Sequence, residues 1–187
     1  MSKISVIGLD LAKNVFQVHG VDEGGFPIVK KKLRRKDLLR FFAKAEPCLV
    51  GMEACGGAHY WAREISKFGH DVKMMAPAFV KPYLKANKND ANDAEAICEA
   101  VQRPNMRFVT PKSPEQQSVL HLHHARRLLV RQRVALGNHI HGVLLEFGIC
   151  LPTGNSAAIR QLPYLLEDAE NELPMMTRHM LAELKEE

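Results

Sequence analysis

Four carboxylates set the chemistry that this chain could do. Asp10 closes the apolar run ISVIGL, Glu53 sits inside the apolar run CLVGMEAC, and Asp90 and Asp93 lie three residues apart in KNDANDAEA. On a helix the last two share a face, where like charges repel. Such a pair is either a solvated helix start or half of a site that something positive completes. If the strands ending in Asp10 and Glu53 pair in parallel, both carboxylates emerge at one sheet edge, where open α/β sheets present functional groups. A helix carrying Asp90 and Asp93 would close the cluster from the side. Four carboxylates so close raise one another's pKa severely unless cations neutralise them, and hard oxygen ligands suit Mg²⁺ or Mn²⁺. Two such ions about 4 Å apart clamp a phosphodiester, one activating the attacking oxygen and one stabilising the leaving oxygen.

Taken singly, the acids have plainer readings. Asp10 fits a turn residue ending a strand, and Asp90 and Asp93 fit a solvated first helical turn, with Asn89 or Asp90 as its cap. Glu53 resists that treatment, because a carboxylate buried in an apolar strand is costly unless it is paired.

The elements that must position these groups follow from apolar periodicity. ISVIGL (4–9), VFQVHGV (15–21) and PIVKKKL (27–33) read as a three-strand meander turned by AKN and EGGF. KDLLRFFAKA carries Leu38, Leu39, Phe42 and Ala45 near helical spacing and stops at Pro47. CLVGMEAC (48–55) has the continuity of a strand buried on both faces, AHYWAREISKFGH is a helix ended by Gly69, and DVKMMAP is a fifth strand. The order β-β-β-α-β-α-β, then helix, excludes an all-α or all-β protein and predicts a mixed sheet with helical crossovers. From residue 113 a Ser-Pro-Glu start signal opens a helix of more than 30 residues, with Leu122, Leu129, Leu136 and Val143 recurring every seven and Ile140 and Phe147 extending the stripe. That pattern, flanked by basic residues, suits a hairpin arm or dimer coil. LPTGNS (151–156) reads as a loop, and the remainder as one or two helices broken by Pro163 and Pro174.

Bulk properties bound the function. A chain of 187 residues holds one core plus an appendage, and a formal charge of +5 leans toward a polyanionic partner. Cys48, Cys55, Cys98 and Cys150 have no CxxC spacing, which argues against a zinc ribbon or a disulfide framework and for a reducing cytoplasm. No signal-peptide core or membrane-length apolar run is present in the sequence, so no membrane partner is expected.

Other clusters are weighed against simpler uses. Lys81, Lys85 and Lys88 lead into the acidic pair and are candidates for phosphate contact, as are Arg126, Arg127, Arg131 and Arg133 on the long helix. The KKKLRRK stretch (30–36) is either a phosphate-binding run or a lysine-guarded edge strand. Tyr60 and Trp61 are better suited to packing on the sheet than to stacking bases. His121 and His124 stand one helical turn apart without a third ligand at matching spacing, which disfavours zinc. No Gly-rich phosphate loop follows GLDLAK, which argues against a sugar kinase or actin-like ATPase.

The stretches GLDLAK, GMEACG and KNDANDAEAI resemble the Asp, Glu and Asp-x-x-Asp motifs of the DEDD insertion-sequence transposases, a family that includes the Piv-type DNA invertases. All four acidic positions match in order, and the resemblance covers roughly residues 3 to 150. It implies an α/β fold of ribonuclease H-like, RuvC-like type, a mixed sheet with flanking helices, followed by a long helical coiled-coil arm. On that basis residues 1–112 form the catalytic domain, and 113–187 a dimerisation arm leading to a second domain. Asp10, Glu53, Asp90 and Asp93 become the catalytic and metal-binding set, with Mg²⁺ or Mn²⁺ as cofactor. The partners implied are DNA, a bridging guide RNA as some members use, and a second copy through the arm. Family members continue into a domain carrying a serine that attacks DNA, whereas this chain ends at Glu187; the expectation is a truncated product or N-terminal half, with activity of this chain alone left open. The rival readings are a stand-alone junction-resolving nuclease and a non-catalytic module for nucleic-acid binding and oligomerisation.

Overall fold

The computed structural model describes residues 3–84 and 90–186, with the backbone alone described for Asp90, Ala91, Asn155 and Glu186. The chain divides into two compact units, Met1–Pro114 and Glu115–Glu187.

The first unit is built on a six-stranded mixed sheet. Its strands are β1 (Val6–Asp10), β2 (Val15–Val21), β3 (Pro27–Arg34), β4 (Leu49–Glu53), β5 (Asp71–Met75) and β6 (Phe108–Val109). They lie in the order β3-β2-β1-β4-β5-β6. The meander β1-β2-β3 is antiparallel, and β4 joins the other side of β1 in parallel, followed by β5. Helices α1 (Leu38–Lys44) and α2 (Ala58–Ser66) make the crossovers, while α3 (Pro77–Val80) and α4 (Asp90–Val101) follow β5. This is a mixed sheet with helical crossovers, as expected from the order of elements, and the ribonuclease H-like α/β arrangement that the family resemblance implies.

Two apolar layers hold it together, one on each face of the sheet. Ile7, Leu9, Val50 and Met52 are fully buried with Leu38, Phe42, Trp61 and Ile65 of α1 and α2. On the opposite face Ala96, Ile97, Cys98, Ala100 and Val101 of α4 bury Val6, Val21 and Met75. Each large aliphatic side chain so buried contributes about 1.5–3 kcal/mol. His70 is buried at the bottom of the first layer, its Nε2 3.0 Å from the Phe42 carbonyl oxygen and its Nδ1 accepting from the Cys48 backbone N–H at 3.2 Å.

Two elements escape sequence periodicity. Strand β6 is only two residues long and pairs antiparallel to β5, through Met74 with Val109 and Met75 with Phe108. The short α3 turn and the 3-10 turn Lys81–Tyr83 occupy the stretch before the acidic pair. Both are too short to show a period.

The second unit contains α5 (Pro114–Glu146), α6 (Asn155–Glu167) and α7 (Met175–Glu186). Ile140 and Leu144 of α5 bury Leu162, Leu173 and Leu181. Pro163 does not break α6, contrary to expectation, because Leu162 before the missing N–H and Leu165 and Leu166 beyond it all pack into the same apolar core. Pro174 does mark a start, directly before α7. The Arg178 guanidinium donates to the carbonyls of Leu165, Leu166 and Asp168, satisfying orphan acceptors at the end of α6, and to that of Leu173 in the loop before α7. Among the described residues no helix is long and apolar enough to cross a membrane.

Candidate active site

Strand alternation decides which acids share a face. Ile7, Leu9, Val50 and Met52 point toward α1 and α2, so Gly8, Asp10, Gly51 and Glu53 face α4. Gly8 pairs with Gly51 across β1 and β4. A Cβ on Gly8 would lie 2.1 Å from the Ala94 carbonyl oxygen and 2.5 Å from the Cys98 nitrogen, and one on Gly51 would lie 2.7 Å from Val101 Cβ. The two glycines are the floor on which α4 rests, since a side chain at either would push the helix off the sheet.

That close approach sets the acids. The last parallel pair is Leu9 with Met52, which leaves Asp10 and Glu53 side by side at the ends of neighbouring strands, about 4.8 Å apart in the hydrogen-bonding direction. Asp93 stands in the first turn of α4, half-buried, and its Oδ1 is buried with no hydrogen-bond partner among the described residues. Asp90 opens the same helix; its side chain lies outside the described residues.

Electrostatics join the three described acids into one neighbourhood. Burial pushes the Glu53 carboxyl above its usual range, and the negative charge of Asp93 pushes it further. The Cys55 thiol is raised by burial, then by Glu53 and by Asp10. Among the described residues no three His, Cys, Asp or Glu side chains converge tightly enough to hold an ion. The donor set nevertheless suits a hard divalent cation: carboxylate oxygens, one of them buried without a partner among the described residues.

The basic candidates are distributed differently. Lys81 is exposed in the 3-10 turn that precedes the acidic helix, and Lys85 and Lys88 lie outside the described residues. Arg126, Arg127, Arg131 and Arg133 belong to an exposed stretch of α5 in the second unit. Trp61 is buried edge-on against Phe16, with the Arg35 guanidinium 4.9 Å from its ring centre, so it packs as expected. His121 and His124 are exposed on α5 with ring centres 6.3 Å apart and belong to no metal cluster among the described residues.

Sequence reasoning selected the acids and missed the glycines that bring them together. The signal was present in the repeated pattern Gly8-Leu9-Asp10 and Gly51-Met52-Glu53, a residue without a side chain two positions before each acid.

A mixed sheet with two neighbouring strand-end carboxylates and an acid-bearing helix laid across them defines a ribonuclease H-like domain with an acidic edge. The sequence model of the IS110-type DEDD transposases, described as transposase, matches residues 7–149. A probable family 20 transposase of Pseudomonas aeruginosa is 51% identical over 98% of this chain and 55% of its own length. The transposase for insertion sequence element IS1328 of Yersinia enterocolitica is 47% identical over 98% of this chain and 54% of its own length. That for IS1111A of Coxiella burnetii is 42% identical over 95% of this chain and 49% of its own length. The chain belongs to the DEDD transposase family. It spans about half the length of the curated relatives it matches.

Proposed function

We propose that this chain is the RuvC-like catalytic part of a DNA transposase or site-specific recombinase. In this reading Asp10, Glu53, Asp90 and Asp93 hold Mg²⁺ or Mn²⁺ at the sheet edge for cleavage or transfer of DNA strands. The observation that supports it most is the buried Asp93 Oδ1 near Glu53, without a hydrogen-bond partner among the described residues, on a helix that two facing glycines admit onto the ends of β1 and β4. A buried carboxylate oxygen without a donor is costly, and a cation is the group that would satisfy it.

The chain's own residues divide the work. Asp10 and Glu53, fixed on adjacent strands, form the rigid side of the set; Asp90 and Asp93 on α4 form the side that closes over it. Gly8 and Gly51 position that helix. When bound, the metal supplies charge to the phosphate oxygens of the strand being cut. Lys81, Lys85, Lys88 and the α5 arginines Arg126, Arg127 and Arg131 are proposed as contacts to the DNA backbone, which fix register without reading bases. The arm proposal rests on α5, where every residue from 121 to 135 is exposed although Leu122, Leu128, Leu129, Val130 and Val134 are apolar. A second copy paired through this stretch as a coiled coil would bury them.

Calorimetric titration of Mg²⁺ or Mn²⁺ into the chain tests the site, beside the Asp10→Asn/Asp93→Asn double variant. Saturable binding that the double variant abolishes is the expected result. Equal heats from both proteins would sink the assignment.

A further inference from the structure

On the α4 face of the sheet, the row of side chains that contains Asp10 continues away from Glu53. Asp10 pairs with Gln17 on β2, and Gln17 pairs with Lys32 on β3. One step along, His19 pairs with Lys30. Paired residues of adjacent strands project to the same face, and Val29 and Leu33 pack in the layer of α1 and α2, so Lys30 and Lys32 lie on the face of the acids. Asn92 and Glu95 of α4 border the same space, next to Asp93. Together these groups enclose a cleft of about 230 Å³ between β2, β3 and the first turns of α4.

We propose that this cleft binds the sugar-phosphate backbone of a nucleic-acid strand, at a phosphate neighbouring the one held at the acidic edge. The proposal rests on the reading of that edge as a phosphodiester site. Lys32 stands two strands from Asp10, about 10 Å at the usual strand spacing, so a strand crossing the sheet passes from the acids over Gln17 to the lysines. The cleft offers both kinds of group that backbone recognition uses: Lys30 and Lys32 supply charge, while the amides of Gln17 and Asn92 can donate to phosphate or sugar oxygens. Glu95 at the rim lies 3.9 Å from Lys30 and offsets one positive charge, leaving Lys32 as the stronger anchor. Lysines that only guard a sheet edge have no need of amides converging opposite them. Sharing Gln17 as a strand neighbour also makes the cleft continuous with the acids, not a separate patch.

The test is fluorescence anisotropy of a labelled 12-nucleotide single strand, once as DNA and once as RNA, with the chain in EDTA. Removing two phosphate contacts in Lys30→Ala/Lys32→Ala is expected to weaken binding on the order of tenfold, and to flatten the slope of log Kd against log salt by about 1.4. Arg40→Ala/Lys44→Ala removes the same charge from α1 and is expected to change Kd less than twofold. Loss with DNA only, RNA only or both supports the cleft and names the sugar it accepts. The proposal is overturned if the two double variants weaken binding equally, if Lys30→Ala/Lys32→Ala binds like the parent, or if the parent binds neither strand. A metal titration of Lys30→Ala/Lys32→Ala keeps the two readings apart: retained metal binding with lost strand binding supports both. Strand binding that depends on the lysines in a parent that takes up no metal strikes the metal reading and leaves the cleft.

Discussion

Helices α4 and α5 carry comparable amounts of chemistry-bearing sequence and bury it in opposite ways. In α4, Ala94, Ala96, Ile97, Cys98, Ala100 and Val101 are all buried, and the helix lies so near the sheet that two glycines are required beneath it. In α5 the buried residues, Gly137, Ile140 and Leu144, all lie in the last turns, where α6 and α7 pack, while fifteen consecutive residues from 121 to 135 are exposed. The contrast teaches that α4, which carries Asp93, is held in place by its own unit, as the proposed metal site would require. The exposed leucines of α5 are the surface left for the second copy proposed above.

The sharpest attempt to break this comparison is Gly8→Ala. The added methyl meets backbone atoms of α4, which cannot rotate away, and the expected cost is about 3 kcal/mol or more in urea unfolding of the chain. Gly56→Ala, where a Cβ meets nothing within 4 Å, serves as the control and should change stability by less than about 0.5 kcal/mol. Equal stability of the two variants would remove the glycine floor.

Next in size is the pair Leu144→Ala and Leu129→Ala within α5. Leu144 is fully buried, and its truncation should cost about 2–5 kcal/mol. Leu129 is 64% exposed, and its truncation should cost less than about 0.5 kcal/mol in dilute protein. Sedimentation at rising concentration sharpens the point: a coil through residues 121–135 makes Leu129→Ala favour monomer where the parent pairs. Identical self-association of the two proteins would argue against the arm as a pairing surface.

The smallest effect concerns how α2 is tied to the chain leaving β6. His59 Nδ1 accepts from the Lys112 backbone N–H at 3.1 Å, and the Arg63 guanidinium donates to the Lys112 carbonyl. Burial first, and then the charges of Lys112 and Arg63, hold the His59 pKa below its ordinary value. The unfolded chain therefore takes up the proton first as pH falls. His59 contributes fully above about pH 6.5 and loses its contribution as pH drops from there toward the folded value. Thermal midpoints of the parent should fall between pH 7 and pH 5 more steeply than those of His59→Gln, which keeps an acceptor but does not titrate; parallel curves would refute this.

Much of the architecture was legible in the residues. Alternation and breaker residues marked five of the six strands and the long helix, because these elements are long enough to display a period and end at Pro, Gly or Asn. The acids were legible as well, since a glutamate inside LVGME and two aspartates at i, i+3 conflict with their local surroundings. Chain order alone could not show that Gly8 faces Gly51, that Asp10 stands beside Glu53, or that Lys32 and Gln17 extend the same row. Those relations join residues far apart in sequence, and they depend on register, where a slip of one residue turns every side chain to the other face. The sequence by itself determined which elements form and which groups carry charge; the tertiary structure decided which of them meet, because parallel pairing of β1 with β4 and the seating of α4 on two glycines are settled only when the core packs.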